Sequence, residues 1–160
     1  MSERRISATT VRAVASLCTV VVLAATAGGA RANERSAFLW SQGLEEFRAG
    51  GDGYRTALSL FDRAVESDPT DVDARYYRGV TRARLGDLDG AAEDLGRVLR
   101  ERPGFDRAAL ELGIVEVEQG RYTDALVPLH QARQAAPLAA SASFYIGLAE
   151  LHLGWLDPAR

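Results

Sequence analysis

Two histidines, His130 and His152, and one cysteine, Cys18, are the side chains of this 160-residue chain best suited to bind a metal or to attack a carbonyl. Their spacing supports neither chemistry. A zinc site needs ligands that share a face, and neither histidine has a partner at i, i+4 or a His-Glu-x-x-His run around it. A nucleophilic serine would stand in a Gly-x-Ser-x-Gly elbow, which is absent, and no glycine-rich loop is arranged to cradle phosphate. The carboxylate pairs Glu45-Glu46 and Glu116/Glu118 fall in charged helical segments, where they read as solvated faces rather than acid/base dyads. The sequence therefore predicts a non-enzymatic protein with no cofactor, no metal and no small-molecule substrate.

The elements that would position any site are set by a period. Pro69, Pro103 and Pro137 recur every 34 residues, and Ala57, Ala91, Ala125 and Ala159 follow the same interval. Gly79, Gly113 and Gly147 form one glycine series, with Gly86, Gly120 and Gly154 seven residues behind them. Such a period means stacked supersecondary units, each too small to bury its own apolar face. Within a period, apolar residues at helical spacing occupy Val72 to Leu85 and Leu88 to Arg100, then Asp106 to Gln119 and Tyr122 to Ala135. Glycine permits the left-handed turn that ends a helix, and proline cannot continue one, so both punctuate the pattern. Gly79 and Ala91 carry little or no side chain, which lets paired helices approach closely. Pro128 falls inside the second helix of its unit, where it removes the bond to the Asp124 carbonyl and is expected to bend the start of that helix.

Residues 1–32 read as an export segment. Arg4, Arg5 and Arg12 precede an uncharged run from Ala13 to Ala27, and Ala30-Arg31-Ala32 offers a small-x-small cleavage site. That run counts 15 residues, fewer than the roughly 20 that span a bilayer core, and Gly28-Gly29 interrupts it, so cleavage is favoured over an inner-membrane anchor. Contact with a membrane is expected only if the segment stays uncleaved. Cys18 follows Leu17, where lipid attachment needs a small residue, so cleavage after Ala32 leaves no thiol. It also removes four arginines and Glu3, leaving 15 Arg against 21 Asp plus Glu and a net charge of −6. Such a surface has no basic patch for nucleic acid. Every basic residue is Arg, which fits a GC-rich bacterial gene.

From Ser36 to Arg160 the residues resemble the tetratricopeptide repeat family. The third unit carries the family pattern in Leu112-Gly113, Gly120-Arg121-Tyr122, Ala125, Leu129, Ala132 and Pro137. The first matches through Gly43, Gly50, Tyr54, Ala57, Phe61, Ala64 and Pro69, with two residues inserted near Gly51-Asp52 that a longer turn is expected to absorb. Units are placed at about 36–69, 70–103 and 104–137, with a half unit at 138–160. The resemblance implies an all-α, right-handed superhelical solenoid of antiparallel helix pairs, about three and a half units long.

It also implies a concave groove lined by the first helix of each unit. The positions it assigns there include Trp40, Phe47 and Arg48 in the first unit, and Tyr76 and Arg84 in the second. Leu110 and Val117 follow in the third, then Phe144 and His152 in the fourth. The aromatics are expected to be partly exposed and to hold apolar side chains of a protein or peptide partner. Trp40 and Leu44 occupy places where relatives that grip acidic chaperone tails have Lys and Asn, so that ligand is not expected. Glu46, Arg82, Glu116 and Glu150 share one register and are expected to form a charge ladder. Leu151, Leu153, Trp155 and Leu156 crowd the half unit, which predicts an association surface and self-association there. The implied role is an exported adaptor or assembly factor in the periplasm of a Gram-negative envelope, the alternatives being the periplasmic arm of a longer outer-membrane secretion protein and, less favoured, an enzyme.

Overall fold

A computed structural model describes residues 33–154. The expected export segment with Cys18, and Trp155, Leu156 and Ala159 near the other end, lie outside the described residues. Among the described residues there are seven α-helices and no strand. They are α1 (33–49), α2 (Gly53–Ser67), α3 (Val72–Arg84), α4 (Leu88–Glu101), α5 (Asp106–Glu118), α6 (Tyr122–Arg133) and α7 (Ala139–His152). A single 3-10 turn, Ala136–Leu138, carries Pro137 between α6 and α7. None of these helices is long and apolar enough to cross a membrane.

The turns that fold α3 back on α4 and α5 back on α6 are built alike. Gly86 and Gly120 take φ of +84° and +75°, a region in which a Cβ would be strained. The next amide then reaches back, Asp87 to the Arg82 carbonyl at 2.9 Å and Arg121 to the Glu116 carbonyl at 2.8 Å. These bonds satisfy carbonyls that the helix ends leave free. Asp87 goes on to cap α4, accepting from the Gly90 amide at 3.0 Å. Asp71 caps α3 by accepting from Ala74 at 2.9 Å, and its other oxygen accepts from Ser36 at 2.6 Å, which ties the cap to α1.

One expectation changes here. The turn after α1 spans residues 50–52, no longer than residues 85–87 and 119–121 in the next units. The two extra residues instead lengthen α1 by one residue at its end and α2 by one at its start, because Gly50 and Gly51 both adopt positive φ and close the turn tightly. Pro128 sits buried within α6, which runs on unbroken to Arg133.

Close approach at glycine sets the helix pairing. A methyl group placed on Gly43 would lie 2.6 Å from the Phe61 ring, and one on Gly113 would lie 2.4 Å from Leu129 Cγ. On Gly79 it would meet Leu95 Cγ and Asp94 Cβ, each at 3.1 Å. Phe61, Leu95 and Leu129 are fully buried as a result, each seated on the glycine of its paired helix. Each second helix also packs on the first helix of the following unit: α2 on α3, α4 on α5, α6 on α7. Along the stack α3 touches α5 and α5 touches α7, whereas among the described residues α2, α4 and α6 do not touch one another. The first helices thus lie on the inside of the curve.

Polar contacts join the same elements. Asp94, buried on α4, accepts from Arg78 Nε at 2.8 Å and Nη2 at 2.6 Å, and from Arg82 Nη1 at 2.8 Å. Arg78 also pairs with Asp62 of α2 at 3.4 Å, which links units one and two. Arg75 is buried with its guanidinium on Glu101 at 2.7 Å and on the Pro69 carbonyl.

Glycine seating can be tested directly. Gly113→Ala is expected to destabilise the protein by roughly 1–3 kcal/mol, because the added methyl overpacks against a buried Leu129. Gly96→Ala, inside α4 with only Arg100 Nη1 at 3.5 Å, should instead stabilise by about 0.5–1 kcal/mol through helix propensity. Urea unfolding of both variants reads the contrast, and equal effects would mean the close approach does not set the pairing.

Candidate binding surface

The inner first-helix face is where the sequence places a binding groove, and its side chains fall into distinct settings. Trp40 and Phe47 are half-buried on α1 and converge on Tyr77 of α3. Trp40 stacks on Tyr77 with centroids 6.0 Å apart and planes 7° from parallel. Phe47 meets the same ring edge-on at 6.1 Å and touches Tyr54 at 5.4 Å. Phe61 stacks against Tyr77 at 5.8 Å. Tyr77 is therefore the hub of an aromatic cluster joining the first two units, each such pair adding roughly 0.5–1.5 kcal/mol beyond its burial. Sequence reasoning missed it. It stands two residues before Gly79, in the register that also holds Glu111 and Tyr145, and that alignment was the available signal.

Several expected groove residues are not open to a ligand. Tyr76 is buried rather than partly exposed, its ring 5.1 Å from Tyr77 and 4.8 Å from Phe105. Leu110 and Val117 are buried in the core that α5 shares with α6 and α7. The reason is common to all three: the next unit's helix covers them. His152 turns back onto Tyr122, stacked at 4.4 Å and 17°, with Nδ1 2.8 Å from the Leu148 carbonyl. Arg48 is exposed and pairs with Glu45 at 2.8 Å along its own helix. Phe144 is exposed on α7 beside Tyr145, far from the Trp40 cluster in the order of the stack. Of the residues expected at the terminal surface, Leu151 is exposed and Leu153 is half-buried against the α5–α7 core, while Trp155 and Leu156 lie outside the described residues.

The expected charge ladder does not form. Arg82 reaches the second helices, Asp94 at 2.8 Å and Asp62 at 3.9 Å, and Glu116 pairs with Arg121 at 3.5 Å. A position three residues after the internal glycine faces the neighbouring second helix and turn rather than the adjacent first helix.

Between units two and three the inner face carries one polar group of note. Glu111 is largely buried, with Arg84 Nη2 at 3.7 Å from its Oε2, too far for a hydrogen bond. Burial raises its carboxyl pKa above the ordinary 4.5, and the Arg84 charge offsets this only in part. Tyr76 is pushed up to about 12, by burial first and then by the charge of Glu111. Its phenol stays neutral at physiological pH. Among the described residues no group of three or more His, Cys, Asp or Glu is placed to hold a metal ion. A polar cleft of about 440 Å³ opens at the turn edge between Gly86, Asp89, Gln119 and Arg121, away from the aromatic cluster.

The sequence profile described as tetratricopeptide repeat matches residues 41–106, 81–132 and 110–160. A rat FK506-binding protein-like protein is 47% identical over 69 residues, covering 43% of this chain and 20% of its own length. A tetratricopeptide repeat and J domain-containing co-chaperone of Fusarium oxysporum is 31% identical over 102 residues, covering 54% of this chain and again 20% of its own length. The chain thus spans about a fifth of the length of these relatives. Among solved structures, MamA from Desulfovibrio magneticus superposes with a TM-score of 0.70 at 26% identity, covering 77% of this chain and 68% of that one. The Yersinia enterocolitica type III secretion chaperone SycD, in complex with a peptide of the translocator YopD, superposes at 0.65 with 16% identity, covering 72% and 92%.

Glu111 gives a pH test of the inner face. A carboxyl whose folded pKa is raised favours its protonated form in the native state, so it lowers stability as pH rises above 4.5 through the raised value. Glu111→Gln should therefore stabilise the protein at pH 7, by roughly 1 kcal/mol for relief of a buried, unpaired oxygen, and give no gain near pH 4. Urea unfolding at both pH values checks it. A loss of stability at pH 7 would show that the Arg84 pair outweighs the cost of burial.

Proposed function

The chain belongs to the tetratricopeptide repeat family, and from that membership we propose that it is a non-enzymatic scaffold that holds a protein segment on the inner face of its solenoid. The observation that carries this is the cluster of Trp40, Phe47 and Tyr77, three half-buried rings from two units gathered on the first helices. Rings held by neighbours give a partner large contact area at little entropic cost, which is the usual chemistry of an anchor pocket. Arg48, exposed next to Phe47 on α1, can meet the backbone or acidic side chains of the bound segment. SycD, which shares the fold and is seen with a translocator peptide, supports a peptide-like ligand for such a stack. The co-chaperone relative supports a role alongside other proteins.

The setting we propose is the bacterial envelope, with the chain exported to the periplasm. The basic start, the uncharged run from Ala13 to Ala27 and the Ala30-Arg31-Ala32 site support this reading, as does the all-arginine composition.

A displayed library of random peptides selected on the purified protein tests the function. Enriched sequences should carry apolar or aromatic anchors. Trp40→Ala should weaken their binding about tenfold or more, the usual cost of losing an anchor, while lowering the melting temperature by only a few degrees. The chain has two tryptophans, so in a Trp155→Phe background the emission of Trp40 alone should shift to the blue as peptide covers it. Peptides that bind equally well to Trp40→Ala would overturn the site.

A further inference from the structure

Where arginines and carboxylates hold the helices of this protein together, they bond closely: Asp94 and Glu101 are each met by two arginines, at 2.6 to 2.9 Å. The inner face at the junction of α3 and α5 is different. Tyr76, Arg84, Arg107 and Glu111 gather there, and none of these four side chains makes a hydrogen bond among the described residues. Glu111 keeps one oxygen, Oε2, enclosed at 3.7 Å from Arg84 Nη2, while Oε1 is not enclosed. The Tyr76 ring is covered by its aromatic neighbours, yet its hydroxyl is not enclosed, and the charges of Glu111, Arg107 and Arg84 all act on it. Arg107 is exposed, one helical turn before Glu111 on the same side of α5, and forms no ion pair among the described residues. A largely buried carboxylate left without a donor destabilises the native state, and a ligand that brings the donor reverses that loss.

We propose that this junction is a subsite for a carboxamide, the side chain of an Asn or Gln in the bound segment, which donates an N–H to Glu111 Oε1 and accepts at its carbonyl from the Tyr76 hydroxyl or from Arg107. Charge at the site selects a neutral group. Arg84 and Arg107 oppose an incoming ammonium or guanidinium, and Glu111 opposes a carboxylate. With Glu118, whose charge also reaches Glu111, two carboxylates face two arginines and the junction is close to neutral. An apolar side chain seated there would cover Glu111 and the Tyr76 hydroxyl without giving either a partner. A carboxamide carries its donor and its acceptor on separate atoms of one plane, so it answers both at once. This subsite rests on the proposed role of the inner face, with an extended segment anchored at Trp40. The anchor lies where α1 meets α3, and the subsite where α3 meets α5, one helix further along the stack. Stacked helices stand roughly 8–10 Å apart and an extended chain rises about 3.3 Å per residue, so the carboxamide falls about three residues from the anchor.

Random peptides selected on the purified protein test the subsite once their sequences are aligned on the apolar anchor. Asn or Gln should be enriched about three residues to one side of it. A synthetic peptide of the commonest sequence, carrying Gln, Glu, Lys or Leu at that place, is then titrated on the protein by fluorescence anisotropy. On the wild type, each replacement of Gln should weaken binding about tenfold, as expected when a buried polar group loses its partner. Glu111→Gln should bind the Glu peptide at least as well as the Gln peptide, because the opposing charge is gone and both arginines remain. A substitution that merely disturbed the structure would weaken all four peptides alike, and that result overturns the subsite. Should Glu111→Gln misfold, the four peptides on the wild type decide alone. Peptides that depend on Trp40 but show no carboxamide at this spacing, or that tolerate Leu or Lys there, overturn the subsite and leave the anchor site standing. Selection of no peptide, or only of peptides indifferent to Trp40→Ala, overturns both.

Discussion

The seating of one large apolar side chain on one glycine in each unit is the contact from which the rest of the molecule follows. Helices normally pack 8–10 Å apart, and the separation shortens only where side chains are absent from the seam. At Gly43, Gly79 and Gly113 the missing Cβ makes room for Phe61, Leu95 and Leu129, and the alanines at 57, 91 and 125 keep the rest of the seam narrow. A tight pair presents both helices to the next unit as one flat surface. The following first helix lies in the groove between them, and the stack repeats. Because α3, α5 and α7 touch while the second helices do not, the same contact also gives the curve its sense and puts the aromatic cluster on the inside.

Charge plays a secondary but specific part. Asp94 is buried and would be costly alone, but two arginines from α3 fill its acceptor sites. A buried ion pair of this kind adds little net stability over an apolar pair, yet removing one member leaves an unpaired charge. Its value here is positional. Arg78 reaches Asp62 on α2 as well as Asp94 on α4, so the guanidinium holds α3 in register between the second helices of two units. The charge ladder expected along the first helices fails for the same reason, since Arg82 is drawn to Asp94.

Period and punctuation made the helices legible. Gly86 and Gly120 turn left-handed where the sequence pattern needed them, and Asp71 and Asp87 cap where helical spacing begins. What the period could not show is which way a first-helix residue faces once the next unit has stacked. Tyr76, Leu110 and Val117 occupy groove positions by register, and the covering helix buries them. Trp40 and Phe47 escape that fate only in part, because Tyr77 packs between them. The inserted residues at Gly51-Asp52 were visible, but their destination depended on two consecutive left-handed glycines that keep the turn short.

A repeat averages its units, so the information that distinguishes this protein lies where a register departs from its neighbours. The position two before the internal glycine is Ser41, Tyr77, Glu111 and Tyr145 along the chain. At the first junction the tyrosine becomes an aromatic hub. At the second, the same place holds a carboxyl that burial makes reluctant to ionise, facing an arginine from the preceding unit. These two junctions have equivalent backbones and different chemistry, one apolar and rigid, the other polar and only partly compensated.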